Sequence, residues 1–143
     1  MSVETEEPIA EILRRHAGCA GALLPILNDV QAALGHVPAT AVPLIAEALN
    51  LSRAEVHGVV TFYHDYKKAP ADRPVIKLCR AEACQARGVE ALAPILEGDE
   101  RIHVETVYCL GLCAIGPSAM VGDQVHVIRD ADEARRLADK VAA

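Results

Sequence analysis

An α+β fold is predicted, with a helical bundle over residues 1–70 followed by a small α/β domain over 71–143. Two changes along the chain predict it. Apolar residues recur at helical spacing as far as Tyr66 and at strand spacing after Pro74. Between them, Lys67 to Pro74 is basic and proline-flanked, the composition of a junction. A 143-residue chain with 52% hydrophobic content has enough apolar surface for one ordinary core or two small ones.

The helical half opens with Ile9, Ile12 and Leu13. Leu23, Leu27, Val30 and Leu34 then follow at steps of four, three and four, which puts them on one stripe. Gly35 is placed to end that helix. Thr40 is placed to cap the next, whose first turn tolerates Pro43 because the missing N–H has no intrahelical partner there. Ser52-Arg-Ala-Glu55 reads as a capping box, flanked by Leu51 and Val56 as a hydrophobic staple.

After Pro74, Val75 to Leu78 reads as a short strand, and Ile102, Val104 and Thr106 alternate with His103 and Glu105 as a second. Val89, Leu92 and Leu96 mark a helix between them, in which Pro94 is expected to cause a kink or a break. Residues 119–121 and 124–127 form a hairpin around Gly122-Asp123, whose Gly-X turn suits type II′. Asp130 caps a last helix that buries Ala134, Leu137, Ala138 and Val141. The order β-α-β-β-β-α fits a thioredoxin-like layer.

Composition narrows the function. Fourteen Lys and Arg against twenty Asp and Glu give a net charge of −6, and one Phe, three Tyr and no Trp leave few rings for stacking bases. A nucleic-acid partner is therefore not expected. The N-terminal residues carry no export signal, and no apolar run approaches the roughly eighteen residues of a membrane span, so a cytoplasmic chain without membrane insertion is expected. There is no nucleophile elbow, phosphate loop or H-E-x-x-H pair, so the chain is not expected to be catalytic alone.

Four of the five cysteines carry the chemistry, as Cys79-x4-Cys84 and Cys109-x3-Cys113. Each pair falls at or just beyond a strand end, in loops that converge on one rim of the sheet. Neither has the C-x2-C spacing of a zinc ribbon, and both loops are wide enough to wrap a [2Fe-2S] cluster. With four thiolates such a centre carries a formal charge of about −2, or about −3 when reduced. Gly111 and Gly116 are expected to let the second loop turn its amides toward that charge, and Pro117 to end it, while Arg80 and Arg87 are expected to place positive charge nearby. A single structural zinc ion, making the chain a scaffolding module, stands beside this reading. A redox dithiol fits the spacing less well, since thioredoxin-type exchange uses C-x2-C. Cys19 has no nearby partner and is expected to be a small buried or half-buried side chain, with His36, His57, His103 and His126 as surface or packing residues.

These motifs, with Val59-Val-Thr-Phe-Tyr63, Leu34-Gly-His-Val-Pro38 and Cys109-Leu-Gly-Leu-Cys113, resemble the 24-kDa-type subunit family of respiratory complex I, a thioredoxin-like [2Fe-2S] ferredoxin family, over nearly the whole chain. The resemblance implies that Cys79, Cys84, Cys109 and Cys113 hold one [2Fe-2S] cluster. Within that family, Glu55 to Tyr66 and Leu78-Cys-Arg-Ala-Glu-Ala-Cys-Gln85 look like the gamma subunit of soluble, molybdenum-dependent, NAD-linked formate dehydrogenases. The connection from Cys84 to Cys109 is shorter than complex I members usually have, which favours that branch or the bidirectional hydrogenases. This resemblance implies an oxidoreductase complex with a molybdenum-containing alpha subunit and an FMN- and NAD-binding beta subunit beside this chain. Nicotinamide exchanges two electrons together whereas iron–sulfur centres move one, and a flavin converts between them. Phe62, Tyr63 and His64 are the expected contact with the flavin subunit, with ordinary core packing of Phe62 and Tyr63 as the competing expectation.

Overall fold

In a computed structural model, which describes residues 3–143, the chain divides into two compact units, Met1–Pro70 and Ala71–Ala143. The first contains α1 (Val3–Arg15), α2 (Leu23–Leu34), α3 (Ala41–Leu49) and α4 (Arg53–Phe62). Their apolar stripes meet in one core, in which Ile9, Ile26, Leu27, Val30, Ile45 and Val56 are fully buried. Of the stripe read on α2, Leu27 and Val30 reach the centre, while Leu23 and Leu34 lie half-buried at its margin.

Local chemistry sets the helix ends. Ser52 and Glu55 form the reciprocal cap: the Glu55 N–H donates to Ser52 Oγ at 3.2 Å and the Ser52 N–H to Glu55 Oε2 at 2.8 Å. The Ser52 N–H and the Ser52 hydroxyl, which donates to the same Oε2 at 2.7 Å, hold the Glu55 carboxyl below its ordinary pKa, the backbone bond contributing most. Leu51 and Val56 both join the core. Thr40 stands at the start of α3, but its side chain makes no capping bond, because its own backbone is already helical there (φ −68°, ψ −22°). The junction also begins later than its composition predicts. Lys67 is tied to α2 by its N–H on Gln31 Oε1 at 2.7 Å, and its carbonyl accepts the Val37 N–H at 2.8 Å.

The second unit is a four-stranded sheet with helices packed against it, in the order β1 (Val75–Cys79), α5 (Glu82–Ala86), α6 (Val89–Glu97), β2 (His103–Val107), β3 (Ser118–Val121), β4 (Gln124–Val127) and α7 (Ala131–Ala142). Strand order is β2-β1-β3-β4, with β1 and β2 parallel and the other two pairings antiparallel. Ile76 and Leu78 of β1 pack into one core with Val89, Leu96, Ala134 and Leu137 from the helices. Val141, near the end of α7, is only half-buried against it. The β3–β4 turn has positive φ at Gly122 (59°) and not at Asp123, as a II′ turn demands.

Two expectations are corrected here. The segment after Cys79 is not a plain loop, since α5 intervenes and the order gains a helix. Of the kink or break expected at Pro94, the break does not occur: α6 runs through it without interruption. Pro94 is exposed, so its ring faces solvent, and the buried Val89, Leu92, Ala93 and Leu96 hold the helix together across the one missing backbone bond.

In chemical denaturation, Leu96→Ala is expected to cost about 2–5 kcal/mol through lost burial and the cavity it leaves. Pro94→Ala is expected to stabilise by about 1–2 kcal/mol, since a restored hydrogen bond outweighs the freer unfolded chain. A fall in stability for Pro94→Ala would contradict the continuous helix.

Candidate metal centre

The parallel register pairs Cys79, the last residue of β1, with Val107, the last of β2. Cys109 follows two residues later and its backbone N–H donates to Cys79 Sγ at 3.3 Å. Cys84 returns to the same place on α5, and its sulfur lies 3.7 Å from Ser118 Oγ at the start of β3. Cys113 Sγ is 3.6 Å from Cys109 Sγ. The second unit therefore brings the four thiols into two pairs, one buried (Cys79 and Cys84, 1% and 2% exposed) and one exposed.

Backbone geometry shapes the exposed loop around this arrangement. Cys109 has φ 68° and Gly111 φ 81°, both left-handed, a conformation that costs a non-glycine residue about 1–2 kcal/mol. Such strain at a ligand-type residue is a mark of a functional loop. The Ile115 and Gly116 amides both donate to Leu112 O, at 3.1 and 2.8 Å, folding the loop back on itself. At Gly116 a Cβ would stand 3.2 Å from Cys84 Sγ, so only glycine leaves that sulfur its full space.

Electrostatics separates Cys79 from Cys113. Burial pushes the Cys79 thiol up, but hydrogen bonds from the Ala81 amide, from Cys84 and from the Cys109 and Leu110 amides outweigh it, leaving the pKa below its ordinary value. Cys113 is pushed up, first by its hydrogen bond with Cys109 and then by that neighbour's charge. A cation between the two sulfurs would relieve that repulsion.

The donor set offers two thiol pairs, each suited to one metal ion. The 3.6 Å separation of Cys109 and Cys113 compares with about 3.8 Å for two thiolates on one tetrahedral ion with metal–sulfur bonds near 2.3 Å. A two-iron cluster asks for one such pair at each iron. The Ser118 hydroxyl, buried beside Cys84, is placed to donate to a thiolate there.

Of the two arginines expected to place positive charge nearby, Arg87 does so and Arg80 does not. Arg80 grips Glu90 with Nε and Nη2 (3.0 and 2.6 Å) and Glu97 with Nη1 (2.9 Å), so its charge is neutralised. Arg87 donates to the backbone carbonyls of Cys113 and Ala114. Cys19 is exposed, not buried or half-buried as expected, because it lies in the turn between α1 and α2.

Phe62, Tyr63 and His64 belong to the first unit and are all exposed, Phe62 by 74%. Core packing of the two rings is thereby excluded. Instead they meet edge to face at 5.1 Å, and Tyr63 meets Tyr66 at 6.1 Å. Sequence reasoning missed three residues at the cysteine loop: Ser118, and the exposed Tyr108 (75%) and Ile115 (53%) that flank it. Tyr108 carried a signal, as one of few rings in the chain and adjacent to Cys109. Ser118 carried none, since a serine after a proline has no special pattern.

In the metal-free chain, a thiol-alkylating reagent is expected to modify Cys19, Cys109 and Cys113 at least about tenfold faster than Cys79 and Cys84, because burial blocks approach to the latter. Mass spectrometry of timed samples reads this directly, and equal rates at all five would contradict the arrangement.

Comparison with known proteins agrees with this geometry. The sequence profile described as thioredoxin-like [2Fe-2S] ferredoxin matches residues 9–142. Similar proteins include the HndA component of the NADP-reducing hydrogenase of Solidesulfovibrio fructosivorans, 27% identical over 74% of this chain and 68% of that protein. The E component of the NADH-quinone oxidoreductase of Escherichia coli K12 is 28% identical over 88% and 82%. Its counterpart in Rhizobium meliloti, the second E component of that organism, is 31% identical over 87% and 81%. The profile match spans nearly the whole chain and is named for the cluster that two thiol pairs on a sheet rim suit: this chain belongs to the thioredoxin-like [2Fe-2S] ferredoxin family.

Proposed function

We propose that this chain is the electron-transfer subunit of an NAD-linked oxidoreductase complex, holding one [2Fe-2S] cluster on Cys79, Cys84, Cys109 and Cys113 beside a flavin-binding partner. The observation that carries the reading is the pairing of the thiols at one rim, one pair buried and one exposed. When bound, the cluster supplies a one-electron store. The chain's own residues do the rest. Buried Cys79 and Cys84 anchor one side in the fold, amides of Ala81, Cys109 and Leu110 offset negative charge on Cys79, and the exposed pair leaves a short path for an electron to a neighbouring chain.

Tyr108 and Ile115 supply an apolar rim beside the exposed pair, which supports its facing protein rather than water. On the first unit, Phe62 and Tyr63 with His64 form a second exposed aromatic surface, which we assign to the same flavin-binding subunit. Among such complexes we favour a soluble NAD-dependent formate dehydrogenase with a molybdenum-containing alpha subunit and an FMN-binding beta subunit. Support comes from the likeness of Glu55 to Tyr66 and of Leu78 to Gln85 to its gamma subunit. A second reading, the equivalent component of complex I or of an NAD(P)-linked hydrogenase, is favoured by the names of the relatives. No helix among the described residues is long and apolar enough to cross a membrane.

Protein purified without oxygen is expected to be red-brown, with about two irons and two acid-labile sulfides per chain. Serine at any of Cys79, Cys84, Cys109 or Cys113 is expected to remove most of that iron, while Cys19→Ser keeps it. A colourless protein with one zinc would overturn the reading. Copurification separates the complexes: a molybdenum-containing subunit marks formate dehydrogenase, whereas a nickel- or iron-only hydrogenase subunit or quinone-reducing subunits mark the second reading.

A further inference from the structure

The two thiol pairs are carried on segments with little in common. Cys84 lies on α5, whereas Cys109 and Cys113 bracket an exposed loop between β2 and β3. The start of that loop is tied down by the Cys109 amide on Cys79 Sγ. Its interior bonds, Ile115 and Gly116 to Leu112 O, shape the loop without attaching it to the other segment. One side chain makes that attachment at the Cys113 end. Arg87, at the C-terminal cap of α5 and about one turn beyond Cys84, reaches across with Nε to Cys113 O at 3.0 Å and Nη2 to Ala114 O at 2.6 Å.

From this geometry we infer that Arg87 is a positioning residue for the exposed thiol pair, holding Cys113 at a set distance from Cys84 by clamping two consecutive carbonyls. The inference rests on the cluster reading above. Two parallel N–H donors on adjacent carbonyls are what a planar guanidinium offers and what an ammonium, a single point of charge, does not. Among the described residues Arg87 pairs with no carboxylate, so both donors remain committed to the loop. Arg80, which directly follows the end of β1, spends its guanidinium on Glu90 and Glu97 and makes no such link.

The test compares the full chain with Arg87→Met and Arg87→Lys, and with Arg135→Met as a control that removes an exposed arginine of α7. Each is purified without oxygen and exposed to an iron chelator, bathophenanthroline disulfonate, while bleaching of the cluster is followed. The electron paramagnetic resonance spectrum of the dithionite-reduced form is also recorded. Arg87→Met is expected to lose iron about tenfold faster than the wild type, as suits two lost charge-assisted hydrogen bonds at a solvent-facing site. Its g-values are expected to shift as the Cys109 and Cys113 sulfurs reorient. Arg87→Lys is expected to fall between, and Arg135→Met to match the wild type. Because Arg87 is exposed, the metal-free variants are expected to unfold at the wild-type temperature, which separates positioning from folding. An Arg87→Met protein with wild-type spectrum and release rate overturns the inference, as does faster release that Arg135→Met shares. A wild-type chain that takes up no iron and sulfide instead overturns the cluster reading itself.

Discussion

The candidate metal site owes its position to the parallel pairing of β1 with β2. Parallel neighbours cannot be joined by a tight turn, so the chain must cross over between them, and here it does so through α5 and α6. Both strands then end at the same edge of the sheet. Cys79 closes one, and Cys109 follows the other closely enough for its amide to reach the Cys79 sulfur. The crossover starts at that same edge, so its first helix returns Cys84 to the site within a few residues of Cys79. Ligand sites of open α/β sheets lie outside the carboxyl ends of strands for this reason.

Burial then divides the labour between the pairs. A thiolate taken out of water must find hydrogen bonds to replace it, and Cys79 finds them in amides from both flanking segments. Cys109 and Cys113 stay at the surface, where solvent or a partner screens their charge.

Features that depend on a few adjacent residues were legible in the sequence. The Ser52–Glu55 cap, the Gly122 turn and most of the apolar face of α7 each follow from local spacing and recur in the structure. What was not legible depends on distant partners. Thr40 has capping chemistry but a backbone already helical. Pro94 ought to break α6, yet four buried neighbours hold the turn on either side of it. Arg80 and Arg87 look alike in sequence, and only the carboxylates of α6 within reach of one, and the carbonyls after Cys113 within reach of the other, give them different work. At the site, the four cysteines were visible at once, but their division into a buried and an exposed pair was not, because it is set by which segments pack over them.

The aromatic residues carry the last step. The chain has one Phe and three Tyr, and burying such a ring takes about 150–250 Å² out of water. Three are instead exposed: Phe62 by 74%, Tyr63 by 44% and Tyr108 by 75%. Tyr66 is half-buried, its hydroxyl donating to Asn28 Oδ1 at 2.8 Å. Leaving Phe62 in water forgoes about 1.5–3 kcal/mol of burial, while both cores are filled by aliphatic side chains and small residues instead. Rings displayed in this way on each unit support the proposal that other chains cover them, since a one-electron store with no neighbour can neither fill nor empty.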